Sequence, residues 1–153
     1  MRRVAGVLVA GVLLLLGGGG CVAHPVGPTR TSGAFEGKAT ATAEDALSAV
    51  ASGRLAAAAF ADGHAFGPYA GSVVSDAEET ASGVQGTFAS IQPPGFDSDD
   101  LRDELLGVLG DAVDHLAALR IAVRREDAAA VADALGPVDD DATALRRFVE
   151  EHR

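Results

Sequence analysis

One stretch narrows the folds open to this chain more than any other. From Asp97 to Arg125 it reads DSDDLRDELLGVLGDAVDHLAALRIAVRR, and apolar residues recur at Leu105, Leu109, Ala112, Leu116, Leu119 and Val123. The steps alternate four and three residues, so the six side chains form one stripe along an α-helix with a coiled-coil-like seam. Asp97, Asp99 and Asp100 precede the stripe, and Arg120, Arg124 and Arg125 close it. Acidic groups near a helix N-terminus and basic groups near its C-terminus both suit the macrodipole. Such a stripe is stable in water only when other helices cover it.

Three further segments supply the cover. Thr42-Ala-Glu-Asp45 has the form of a capping box with Asp in place of Glu, and predicts a first helix from Thr42. Its apolar face runs through Leu47, Val50, Leu55 and Ala58 and is mostly alanine; Asp62-Gly63-His64 is its exit, with glycine just past the C-cap. Gly67-Pro68 opens a second helix, with proline in the first turn. Ala70, Val74, Ala77, Ala81, Val84, Phe88 and Ile91 then keep the four-three alternation. Gly83 and Gly86 lie inside this helix, where each costs about 1 kcal/mol relative to alanine. Close approach of a neighbouring helix is the expected reason. Pro93-Pro94-Gly95 ends the element, and Asp97 or Ser98 is the expected cap of the third helix.

After Glu126-Asp127 the stripe resumes at Val131, Leu135, Val138, Ala142, Leu145 and Val149, with Gly136-Pro137 in its middle. Proline inside a helix removes a hydrogen bond and clashes with the preceding turn, at about 3 kcal/mol. The apolar phase nevertheless crosses it unbroken. A fourth helix kinked or split at Gly136-Pro137, without reversal of the chain, is therefore expected. The fold class is all-α: an antiparallel up-down four-helix bundle over residues 42–153, with no strand-like alternation to compete.

The segment before the bundle is an export address. Arg2 and Arg3 are followed by an uncharged run from Val4 to Leu16, four glycines and Cys21. That is the length and order of a signal-peptide h-region with its positive flank. Small residues before a cysteine resemble a bacterial lipobox, in which the cysteine is lipidated and becomes the new N-terminus; Gly18 stands where a leucine-like residue is usual. Residues 1–20 are thus read as a lipoprotein-type signal peptide, Cys21 as the lipidation site (palmitate or a similar acyl chain), and residues 21–41 as a flexible tether rich in Pro, Gly, Thr and Ser. His24 is a linker residue in this reading. Cys21 is the only cysteine, which rules out a disulfide within the chain. A net charge of −10 argues against nucleic acid as a partner and against electrostatic attraction to anionic headgroups.

The run SDAEETASGVQGTFASIQPP from Ser75, followed by LRDELLGVLGDAVDHLAALRIAVRRED to Asp127, resembles a group of uncharacterised secreted or lipid-anchored proteins of high-GC Gram-positive bacteria. The resemblance covers the second and third helices best and extends to the leader. It implies helical class and envelope location, and brings no catalytic residues with it.

Chemistry-bearing constellations are sparse. Asp111 and His115 lie four apart on one helix face, the spacing of a pair of ligands or of a plain ion pair. A metal site normally needs three or four donors, and Glu78 and Glu79 of the second helix are the nearest candidates to complete one. The ion pair is the favoured reading. Asp97, Asp99 and Asp100 lack the glycine and the distal glutamate of a calcium loop, so they read as helix capping. No nucleophile elbow, phosphate-binding glycine loop or haem-attachment motif is present, so no catalytic residue, cofactor or enzymatic activity is expected. The expectation is a lipid-anchored, extracytoplasmic bundle that binds an envelope protein partner, with a metal-binding or metal-sensing bundle as the alternative.

Overall fold

The computed structural model describes residues 29–153; the leader, Cys21 and His24 lie outside the described residues. Four helices, α1 (Ser32–Ala61), α2 (Gly67–Ala89), α3 (Asp97–Arg124) and α4 (Ala128–Glu151), pack against one another, and the described residues contain no strand. None of these helices is long and apolar enough to cross a membrane.

The first helix starts at Ser32, not at Thr42. Thr31 is the N-cap: its backbone is extended (φ −139°, ψ 149°) and its Oγ1 accepts a hydrogen bond from Ala34 N at 3.2 Å. Ser32–Ala41, read above as tether, is therefore helix, and Thr42 lies inside it. Phe35 explains why. It is fully buried against Phe88 at the end of α2, with ring centroids 5.5 Å apart. Burying a phenylalanine yields about 1.5–3 kcal/mol, enough to offset Gly33 and Gly37 at about 1 kcal/mol each. The buried stripe of α1 is Phe35, Ala39, Ala43, Ala46, Val50, Gly53 and Ala57. Leu55, expected on that stripe, is 69% exposed. At the far end Gly63 takes φ +74°, and His64 N reaches Ala59 O at 2.7 Å, closing the helix as the Asp62-Gly63-His64 exit predicts.

Pro68 sits in the first turn of α2, and Ala70, Val74, Ala77, Ala81, Phe88 and Ile91 are buried, with Val84 packed partly against them. Gly83 and Gly86 do not mark a close approach. Both face open space, with nothing within 4 Å of where a Cβ would stand. The tight contact is at Gly53 on α1, where a Cβ would lie 3.0 Å from both Ala77 Cβ and Leu116 Cδ2. Three helices meet at that point.

All six stripe residues of α3 are buried, four of them leucines with no exposed surface. The cap differs from expectation: Phe96 is the N-cap residue without a side-chain bond, and Ser98 is buried. Ser98 N and Asp99 N donate instead to Gly95 O and Phe96 O, at 2.9 and 3.0 Å. Asp97, Asp99 and Asp100 remain in the first turn, where they face the positive end of the dipole. Beyond Arg125, Glu126 occupies the left-handed region (φ 54°), and Asp127 Oδ1 caps α4 through Ala130 N at 3.0 Å.

The fourth helix runs through Gly136-Pro137 as one element, neither split nor reversed. Its buried face holds Val131, Val138, Ala142, Leu145 and Val149, joined by Phe148 and Asp141; Leu135 is only partly buried. The helices pack α1 on α2, α2 on α3, α3 on α4 and α4 on α1, and α1 also touches α3 across the middle. No Cα of α2 comes within 8 Å of a Cα of α4. The diagonal is short on the α1–α3 side because α1 offers alanine and glycine to the leucines of α3.

Candidate functional site

The third helix carries His115, and α4 brings it a partner that spacing alone does not suggest. His115 Nδ1 lies 2.8 Å from Asp141 Oδ2. Asp111, the expected partner, is exposed one turn earlier. The histidine–carboxylate contact is thus between helices rather than along one. Asp141 is 6% exposed, and burial pushes its carboxyl above the ordinary carboxylate value. The His115 hydrogen bond and charge oppose that shift, while the charges of Asp111 and Asp140 add to it. Among the described residues no hydroxyl or thiol is hydrogen-bonded to His115, so the pair has no adjacent nucleophile to activate. What it does physically is tie α4 to α3 through the one buried carboxylate.

Glu78 does not turn toward His115. It pairs with Arg120 of α3, whose guanidinium its hydrogen bond and charge hold more firmly protonated. Glu79 is exposed. This also divides the basic cluster at the end of α3: Arg120 joins α2 to α3, while Arg124 lines a shallow groove of about 350 Å³ with Pro68, Gly71, Ser75, Val123 and Glu126. Further pairs join other helices, Arg54 with Asp139 and Arg153 with Glu44 between α1 and α4. Exposed pairs of this kind contribute at most about 1 kcal/mol each, and their main effect is to select which helix faces meet.

A second histidine, His152, was not singled out by the sequence pattern, because it lies at the end of the last stripe with no ligand-like spacing beside it. Its ring packs on Phe148 in a tilted arrangement, centroids 4.4 Å apart and planes at 43°, and its backbone carbonyl accepts a hydrogen bond from Thr40 Oγ1 of α1 at 2.9 Å. Glu36, Glu104 and Glu151 surround it. The signal that identifies it is long-range: it becomes visible only once α1 is known to begin before Glu36. Neither a family model, nor a curated protein, nor a solved structure matches this chain.

Proposed function

We propose that the protein is a lipid-anchored, extracytoplasmic four-helix bundle of antiparallel, up-down topology that acts as a binding or interaction module of the cell envelope. The observation that carries the reading is the leader, in which two arginines, an uncharged apolar run and four glycines end on the chain's only cysteine. Helix pairing supports the topology: the start of α1 meets the end of α2 at Phe35 and Phe88, and the end of α4 at Thr40 and His152. The early start of α1, with Thr29 already buried beside Gln92, leaves residues 21–28 as the proposed tether. At about 3.5 Å per extended residue that length reaches at most about 30 Å, so the bundle works close to the lipid surface. The acidic domain adds little membrane affinity of its own, and acyl chains on Cys21 supply the attachment.

Intact mass of the protein from a high-GC Gram-positive host, with labelled palmitate, tests this reading. A mature form that begins at acylated Cys21 and is lost in Cys21→Ser is the expected result. A mature form starting beyond Cys21, or an unmodified full-length chain, refutes it. The alternative metal centre at Asp111 and His115 finds less support, because His115 is engaged by Asp141 and Glu78 by Arg120.

A further inference from the structure

We infer that Glu104, Glu151 and His152, oriented by Glu36, form a binding site for one divalent transition-metal ion at the end of the bundle where α1 begins. One ligand atom from each of Glu104, Glu151 and His152 lies within 4.8 Å of the other two. Ligands bound to one ion at about 2.0–2.2 Å stand somewhat closer than that, so binding requires rotamer adjustments of about 1 Å. Glu104 and Glu151 are exposed and free to make them.

The imidazole separates this arrangement from an ordinary acidic surface. His152 is half-buried and fixed at both its ring and its backbone, by Phe148 and by Thr40. Glu36 Oε1 stands 3.5 Å from its Nδ1. That is an ion-pair distance and not a hydrogen bond; a small rotation of the exposed Glu36 side chain would let its carboxylate accept the Nδ1 proton and leave Nε2 as the ligand, the arrangement that sets tautomer and ring orientation at many histidine-bound metals. The four residues come from α1, α3 and α4, so the fold rather than local sequence assembles them. Charge balance points the same way. Among the described residues no arginine or lysine pairs with Glu104 or Glu151, and Arg153, at the same end of the chain, pairs with Glu44. An ion would supply the missing positive charge.

The donor set indicates the class of ion. One imidazole with carboxylates suits zinc or another late first-row divalent ion, whereas calcium and magnesium favour all-oxygen sites. Three protein ligands leave a coordination position open to water or to a donor from a partner. Bound there, the ion clips the end of α4 to α3, beside the point where the tether enters. The site is separate from the His115–Asp141 pair and does not depend on lipidation of Cys21.

Isothermal titration of the purified full-length chain in detergent with zinc chloride, and separately with calcium and magnesium chloride, tests the site. Saturable binding of one zinc per chain is expected, weakened at least about tenfold in His152→Ala and in the double variant Glu104→Gln/Glu151→Gln. Glu36→Gln should weaken it less, and His115→Ala should leave it unchanged. Circular dichroism checks that each variant is folded, which is expected because Glu104 and Glu151 are exposed. Three results overturn the inference: no saturable zinc binding, zinc binding that survives His152→Ala, or calcium binding as tight as zinc.

Discussion

Gly53→Ala and Gly83→Ala are the same chemical change in two helix interiors, and the structure assigns them opposite signs. Alanine is the better helix former by about 1 kcal/mol in either place. At Gly83 nothing lies within 4 Å of the new methyl group, so the gain is kept; Gly86 is equivalent. At Gly53 the methyl group would stand 3.0 Å from Ala77 Cβ and from Leu116 Cδ2. Ala77 can yield only by moving the α2 backbone, and Leu116 is enclosed in the core with no exposed surface. Overpacking of this kind costs about 1–3 kcal/mol, which outweighs the propensity gain and leaves Gly53→Ala destabilised by about 1 kcal/mol. The two variants should therefore differ by about 2 kcal/mol, or about 8 °C in Tm for a domain of this size. Thermal melts by far-UV circular dichroism, with urea titrations to confirm an unchanged m-value, measure the difference. A Gly53→Ala variant that gains as much Tm as Gly83→Ala would show that α1 does not meet α2 and α3 at this point.

Two further substitutions test the helix start and the buried carboxylate. Thr31→Ala removes the N-cap bond of α1 and should lower stability by about 1 kcal/mol, whereas Thr42→Ala, inside the same helix, should be neutral or slightly stabilising in the same melt; the reverse ranking would restore Thr42 as the start. Asp141→Asn keeps an acceptor for His115 while removing the charge. The folded-state carboxyl is raised above its ordinary value of 3.8, so the native state holds the proton more tightly than the unfolded chain and stability falls as pH rises through that window. Asp141→Asn should accordingly be at least as stable as wild type at about pH 7, with the advantage shrinking as pH falls toward about 4. A variant that melts clearly lower at neutral pH would mean that the ionised carboxylate is a net stabiliser.

The legible parts of the fold were those where side chains contrast. Leucines set among aspartates and arginines define the α3 stripe without ambiguity, and the stripe residues are buried as a set. The first helix offers no such contrast. Ala39, Ala43 and Ala46 are fully buried, but alanine is equally common on either face of a helix, so the larger Leu55 drew the phase toward solvent. Its start was hidden because Gly33, Gly37 and Thr40 are poor helix formers, and the distant Phe88 makes Phe35 worth ordering. The glycine reading had the right mechanism at the wrong residues: a helix–helix contact excludes a methyl group at Gly53, not at Gly83 or Gly86. Asp141 is the last of three consecutive aspartates, a run that reads as solvated, yet it lies three residues after Val138 and four before Leu145, on the edge of the buried face. Local spacing carries that signal. The convergence of Glu36 and Glu104 on His152 has no local signal at all, since residues from three helices compose it.

The gap between α2 and α4 gives the bundle a division of labour. Each of these helices packs on both α1 and α3, and no Cα of one comes within 8 Å of a Cα of the other. Detaching α2 does not strip cover directly from α4, and detaching α4 leaves α2 equally seated. α2 and α4 are therefore expected to open as separate cooperative units below the cost of global unfolding, which native-state hydrogen exchange would read as two distinct opening steps. A partner that inserted beside one of them would prise it from α1 and α3 while the other kept the core closed.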